Sequence, residues 1–98
     1  MTKRISVNME DMEKGIASQC IYCPVARAIN RELQKQYYTF VEDSDIIIYE
    51  EMKSETNKLI HKFHPPSIVT EFIRMVDNFE SVSIPFVFNI NLPKRLFV

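Results

Sequence analysis

The chain has 98 residues, 46% of them hydrophobic and 26% charged, and its 12 basic and 13 acidic residues leave a formal charge of −1. These values place it among globular domains, outside the disordered and fibrous classes, and give no polybasic footprint for duplex nucleic acid. Its apolar runs fall well short of the about 20 residues that a membrane-spanning helix needs. Two cysteines separated by two residues, with no signal-peptide pattern before them, read as a reduced, cytoplasmic protein rather than a disulfide-stapled secreted one.

Arg4-Ile5-Ser6-Val7-Asn8-Met9 alternates apolar and polar residues, which predicts a half-buried strand with Ile5, Val7 and Met9 facing inward. Glu10 to Lys14 has room for one helical turn, closed by Gly15, the only glycine in the chain, whose expected role is a cap with positive φ. Cys20 and Cys23 bound a loop that runs into a helix with Cys23 as N-cap and Pro24 at the first helical position, where a missing N–H costs nothing. From there Val25, Ala26, Ile29, Leu33 and Tyr37 form one apolar face, with Arg27, Arg31, Gln34 and Lys35 on the other side, which predicts a helix of about 14 residues.

Tyr38 to Val41 and Ile46 to Tyr49 read as a hairpin around the turn Asp43-Ser44-Asp45. The unbroken run Ile46-Ile47-Ile48-Tyr49 fits a central strand covered on both faces. Glu50 to Asn57 is charged in mixed sign and reads as an exposed connection, the most mobile of the chain, and Lys58 to Phe63 as a short strand ended by His64-Pro65-Pro66. Ile68, Val69, Phe72, Ile73, Val76 and Phe79 recur at helical spacing opposite Glu71, Arg74 and Asp77, so a second helix of roughly three turns follows. The closing strand is Val82 to Leu92, with Phe86, Phe88, Ile90 and Leu92 on one face and Pro85 near its start. The expected fold is one α+β domain over residues 1–98, a small two-layer sandwich in the order β-α-β-β-(β)-α-β with two main helices on a short sheet.

Three motifs carry a resemblance. They are Asp11-Met12-x-x-Gly15-x-x-x-x-Cys20-x-x-Cys23-Pro24-Val25-Ala26-x-Ala28-Ile29, Pro66-x-x-Val69-x-x-Phe72-Ile73-x-x-Val76-Asp77, and Pro85-Phe86-x-Phe88-x-Ile90-x-Leu92-Pro93. Together they cover about half the chain and resemble a widespread family of small bacteriophage and bacterial proteins without an established activity. Where relatives carry a glycine two residues after the aspartate, this chain has Phe79. The resemblance implies a context: proteins of this kind block host machinery or sequester a host signal, in the cytoplasm of the host cell.

Cys20-x-x-Cys23 at a helix start invites a redox reading, since the positive helix end lowers a thiol pKa. A thioredoxin-like site needs a central strand immediately before the pair, and Ile16 to Gln19 do not read as one, so the thiols are expected to pack. Cys20, Cys23, His61 and His64 form a candidate zinc set, but the histidine spacing is shorter than in structural sites. No metal and no cofactor are expected, and the histidines read as surface residues of a connection. The helix start offers N–H groups at Val25, Ala26 and Arg27 that, with the side chains of Arg27 and Arg31, suit an anion. Tyr22 and Cys23 flank that point, and Tyr22, Tyr37, Tyr38 and Tyr49 are candidates to stack on a base.

No glycine-rich phosphate loop, nucleophile elbow or paired metal-ligand motif is present, so the expectation is a non-enzymatic protein. It would bind a host component, the first choice being an anionic nucleotide-like signal held by Tyr22, Cys23, Val25, Ala26, Arg27 and Arg31. The alternative is a protein–protein inhibitor that docks through Leu92-Pro93-Lys94-Arg95-Leu96-Phe97-Val98. Self-association is also expected, through the closing strand, with Phe86, Phe88, Leu96 and Phe97 in one isologous interface.

Overall fold

The chain folds as strand β1 (Thr2–Val7), helices α1 (Met9–Lys14) and α2 (Pro24–Glu32), strands β2 (Tyr37–Val41), β3 (Ile46–Glu50) and β4 (Lys58–Phe63), helix α3 (Ser67–Asp77) and strand β5 (Phe86–Asn91), followed by a 3-10 turn at Lys94–Leu96. The computed structural model describes residues 1–16, 21–42, 45–52, 57–77 and 85–98, with Val76 and Asp77 described by backbone only. The α+β class with two main helices is as expected. The strands, however, form two antiparallel sheets rather than one: β1 pairs with β5, and β2, β3 and β4 form a second sheet in that order. Alternation marks a segment as a strand but not its partner, and here the first and last strands pair with Ile5 opposite Phe88. Among the described residues no helix is long and apolar enough to cross a membrane.

Local chemistry sets the element ends. The first strand stops at Val7 because Asn8 caps α1: its Oδ1 accepts the Asp11 N–H at 2.9 Å, and Asp11 Oδ2 accepts the Asn8 N–H at 3.0 Å, a reciprocal capping box. Met9 is therefore in the first turn of α1 and 43% exposed, not on the inner face of the strand. Cys23 and Pro24 take their expected places at the start of α2, and Cys23 Sγ accepts the Ala26 N–H at 3.4 Å. That helix ends at Glu32 instead of running to Tyr37. The Leu33 N–H bonds back to the Asn30 carbonyl, the Gln34 N–H goes to the Leu96 carbonyl at 2.8 Å, and Leu33 bridges to Phe97. Partners from the far end of the chain thus replace the next helical turn, and Tyr37 is buried in β2.

Gly15 caps α1 with φ −68° and ψ 147°, an ordinary extended backbone, so the expected positive φ is absent. Space is what requires glycine here, because a Cβ would sit 2.5 Å from the Asp11 carbonyl oxygen and 2.7 Å from Cγ and Cδ of Pro24. Gly15→Ala is expected to lower stability by about 1–3 kcal/mol through overpacking. An unchanged urea midpoint would show that the α1–α2 junction yields at no cost.

Buried side chains of β1, α2, β2, β3, α3, β5 and the C-terminal segment join one cluster. Ile46, Ile47 and Ile48 are all buried, with Ile46 and Ile48 on one face and Ile47 on the other, as a central strand requires. The β3–β4 ladder shifts register between Ile48 and Tyr49, leaving Ile60 as the extra residue of β4. Phe72 of α3 lies 4.7 Å, ring to ring, from Phe86 of β5. Leu92, Leu96 and Phe97 are buried in the chain's own core, so the closing segment packs on its own body and is not a free docking tail. For the same reason Phe88, Leu96 and Phe97 are not available to an interface between two copies. The Glu42 N–H bonds the Asp45 carbonyl at 2.8 Å across the hairpin, while Asp43 and Ser44 of the expected turn lie outside the described residues. So do residues 53–56 of the expected connection, Phe79, and residues 82–84 of the closing strand. Glu50, expected in that connection, belongs to β3.

Candidate functional site

The charged face of α2 is organised by one carboxylate. Asp11, the third residue of α1, is fully buried, and the capping box with Asn8 fixes its side chain. Its Oδ1 accepts a hydrogen bond from Arg31 Nη2 and lies 3.5 Å from Arg27 Nε. Arg27 and Arg31 stand one turn apart on α2, so their guanidinium groups reach the same point. Arg31 Nη1 also donates to the Ser6 carbonyl at 3.2 Å, which ties α2 to β1. Arg27 Nε is buried and makes no well-aligned hydrogen bond. The arginine side chains remain 33% and 41% exposed, and that exposed part opens into a cleft of about 390 Å³ lined by Ile21, Tyr22, Arg27, Asn30 and Arg31.

Two guanidinium groups against one Asp11 carboxylate leave a net charge of +1 at this point (2 − 1). Glu10 adds no free negative charge, because Lys14 pairs with it at 3.1 Å, while Arg27 lies 3.8 Å away. The Lys14 hydrogen bond is also the main reason the Glu10 carboxyl sits below its ordinary pKa. Asn30 is anchored by accepting the Thr39 N–H of β2 at 2.8 Å on its Oδ1, so its NH₂ is the end left to offer a ligand. Tyr22, 59% exposed, presents an aromatic ring at the rim. Guanidinium groups bind phosphate and carboxylate oxygens through several N–H donors in one plane; here Arg31 is oriented by its bonds to Asp11 and the Ser6 carbonyl, and Arg27 by ion pairs with Asp11 and Glu10.

Of the residues expected at the site, Tyr22, Arg27 and Arg31 are brought together. Val25 and Ala26 are not: both are completely buried in the core. Cys23 is half-buried, with its Sγ engaged as the cap. The helix-start N–H groups are largely taken as well, since the Ala26 N–H meets Cys23 Sγ and the Arg27 N–H bonds the Cys23 carbonyl at 3.0 Å. Any anion here is held by side chains, not by the helix terminus.

Cys20 lies outside the described residues. His61 belongs to β4 rather than to a connection, with its ring 5.9 Å from Phe63. His64 Nδ1 lies 3.0 Å from Asp45, which also has Lys62 at 3.7 Å. Among the described residues no group of three or more histidine, cysteine, aspartate or glutamate side chains is placed to hold a metal ion. Tyr38 and Tyr49 stack on one another at 5.5 Å, at paired positions of β2 and β3.

Sequence reasoning missed Asp11, Asn30 and Ile21 as site residues. For Asp11 a signal exists: Asn8-x-x-Asp11 is an acidic variant of the capping-box pattern, and an acid so placed is carried toward whatever packs on the start of α1. Asn30 gives no such signal, because its role depends on β2 lying beside α2. Fold and cleft together define a small α+β protein with an arginine-lined cleft organised by a buried aspartate. No protein-family model, curated protein or solved structure matches this chain.

Proposed function

We propose that this protein binds, without turning it over, a small anionic ligand of nucleotide type in the cleft between Tyr22, Arg27 and Arg31. The observation that carries the reading is the pair of guanidinium groups one turn apart, braced by a single buried carboxylate and open beside an exposed tyrosine. In this reading the forks take phosphate oxygens, Tyr22 stacks on the base, and the Asn30 NH₂ adds a directed donor. A cleft of about 390 Å³ falls within the range of small-molecule sites. The resemblance to small phage proteins supplies the role: sequestration of a host signal in the cytoplasm, as counter-defence.

Calorimetry against mononucleotides, cyclic nucleotides and ADP-ribose-type compounds tests this. Micromolar binding is expected for at least one of them, weakened at least tenfold by Arg31→Lys, which keeps the charge but loses the fork, and weakened by raised salt. Absence of binding across the panel, or binding indifferent to Arg31→Lys and Tyr22→Ala, overturns the proposal. In the second case the ligand lies elsewhere on the chain.

A further inference from the structure

The edges of the two sheets are not treated alike. Next to the β1–β5 ladder, the Met1–Leu92 pair exchanges hydrogen bonds in both directions, at 2.9 and 3.1 Å. By antiparallel alternation the peptide groups of Thr2, Arg4 and Ser6 then face the outer edge of β1, and those of Val87, Asn89 and Asn91 face the outer edge of β5. The β1 edge is guarded: Arg31 occupies the outward Ser6 carbonyl, and the strand carries Lys3 and Arg4. The outer edge of β2 is guarded as well, because Asn30 of α2 takes the outward Thr39 N–H. At the outer edge of the second sheet, β4 carries Lys58 and Lys62 and a bulge at Ile60. These are the devices that keep sheet edges from pairing with other chains. Strand β5, Phe86-Val87-Phe88-Asn89-Ile90-Asn91, has no charge, and β1 is its single strand neighbour among the described residues.

We infer that the outer edge of β5 is a homodimer interface in which β5 pairs antiparallel with β5 of a second copy. The outward peptide groups fall at odd positions around Asn89, so one register satisfies all of them: Val87 opposite Asn91 of the second copy, Asn89 opposite Asn89, and Asn91 opposite Val87. Each of these pairs exchanges two main-chain hydrogen bonds. The arrangement is isologous and closes after two copies. It sets no like charges against each other, which self-pairing of β1 would do through Lys3 and Arg4, or of β4 through Lys58 and Lys62. Val87, 43% exposed, gains a neighbour on the outer face. The result is a four-stranded sheet running β1, β5, β5, β1. One short strand pair is a small interface, so a weak dimer is expected.

Sedimentation equilibrium of the full chain from about 10 μM to about 1 mM is expected to show the mass rising from 11.6 kDa toward twice that value. Over the same range the amide protons of Val87, Asn89 and Asn91 should gain protection from exchange, while those of Phe88 and Ile90 stay protected throughout. Asn89→Pro removes an N–H that faces away from β1, a position where an edge strand tolerates proline, so this variant should keep its circular dichroism and stay monomeric. Asn89→Lys, which sets two like charges opposite each other at the twofold axis, should weaken the dimer by the same readout if the proline variant fails to fold. A mass of 11.6 kDa at every concentration overturns the inference. So does a dimer in which those three amides exchange as in the monomer, which would put the interface elsewhere.

Discussion

Truncation after Pro93 is expected to abolish the folded state. The deleted residues include Leu96, with no exposed surface, and Phe97, 5% exposed, and burying each contributes about 1.5–3 kcal/mol. The same segment terminates α2, because the Leu96 carbonyl accepts the Gln34 N–H at 2.8 Å and the Val98 N–H bonds the Glu32 carbonyl at 2.9 Å. Without it those groups lose their partners, and the side of the core around Leu33 is opened to water. The combined loss of about 4–8 kcal/mol compares with a total stability of about 5–15 kcal/mol for a typical domain. A chain of 98 residues buries a smaller share of its surface than a larger one and stands toward the low end of that range. Circular dichroism and urea unfolding of the truncated chain give the answer, with Leu96→Ala as the milder variant at about 3–4 kcal/mol. Cooperative unfolding of the truncated chain at the wild-type midpoint would show that the segment only covers a body stable by itself.

The second large effect is expected at Asp11. Asp11→Ala removes the reciprocal cap of α1, worth about 1 kcal/mol, and also the carboxylate that binds Arg27 and Arg31 together. Losing one member of a fully buried ion pair costs about 3–5 kcal/mol. Here the arginine side chains are 33% and 41% exposed, so water recovers part of that loss and about 2–3 kcal/mol in all is the expectation. Asp11→Asn keeps an acceptor for the Asn8 N–H and discards the charge, so it should fall between wild type and alanine. Urea unfolding of the two variants beside wild type separates cap from ion pair. An alanine variant within about 0.5 kcal/mol of wild type, the scale of ordinary surface changes, would mean that the arginines anchor α2 without it.

Much of the secondary structure is legible in the residues, because its causes are local. Cys23-Pro24 starts α2 through a cap and a fixed φ, Ile46-Ile47-Ile48 marks a strand covered on both faces, and the Phe86-x-Phe88-x-Ile90 alternation gives the inner face of β5. The mistaken expectations share one physical origin, a distant partner outbidding a local pattern. Helical periodicity continues past Glu32 to Tyr37, but Leu96, Phe97 and Val98 supply hydrogen bonds there that a further turn of helix would have to forgo. Gly15 suggests a left-handed cap by residue type alone, and the close approach of Pro24 is what requires it. The candidate site divides in the same way. Arg27 and Arg31 were readable as a basic pair on one helix face, since spacing along α2 fixes that. Asp11 joins them only because α1 packs on the start of α2, and Asn30 faces the cleft with a fixed amide only because β2 lies beside α2. Propensity, capping and periodicity act within a few residues, and they suffice for the α+β class, the start of α2 and its charged face. The division into two sheets, the burial of the closing segment and the counter-ion of the arginine pair emerge only on folding, because each depends on contacts between residues far apart in the chain.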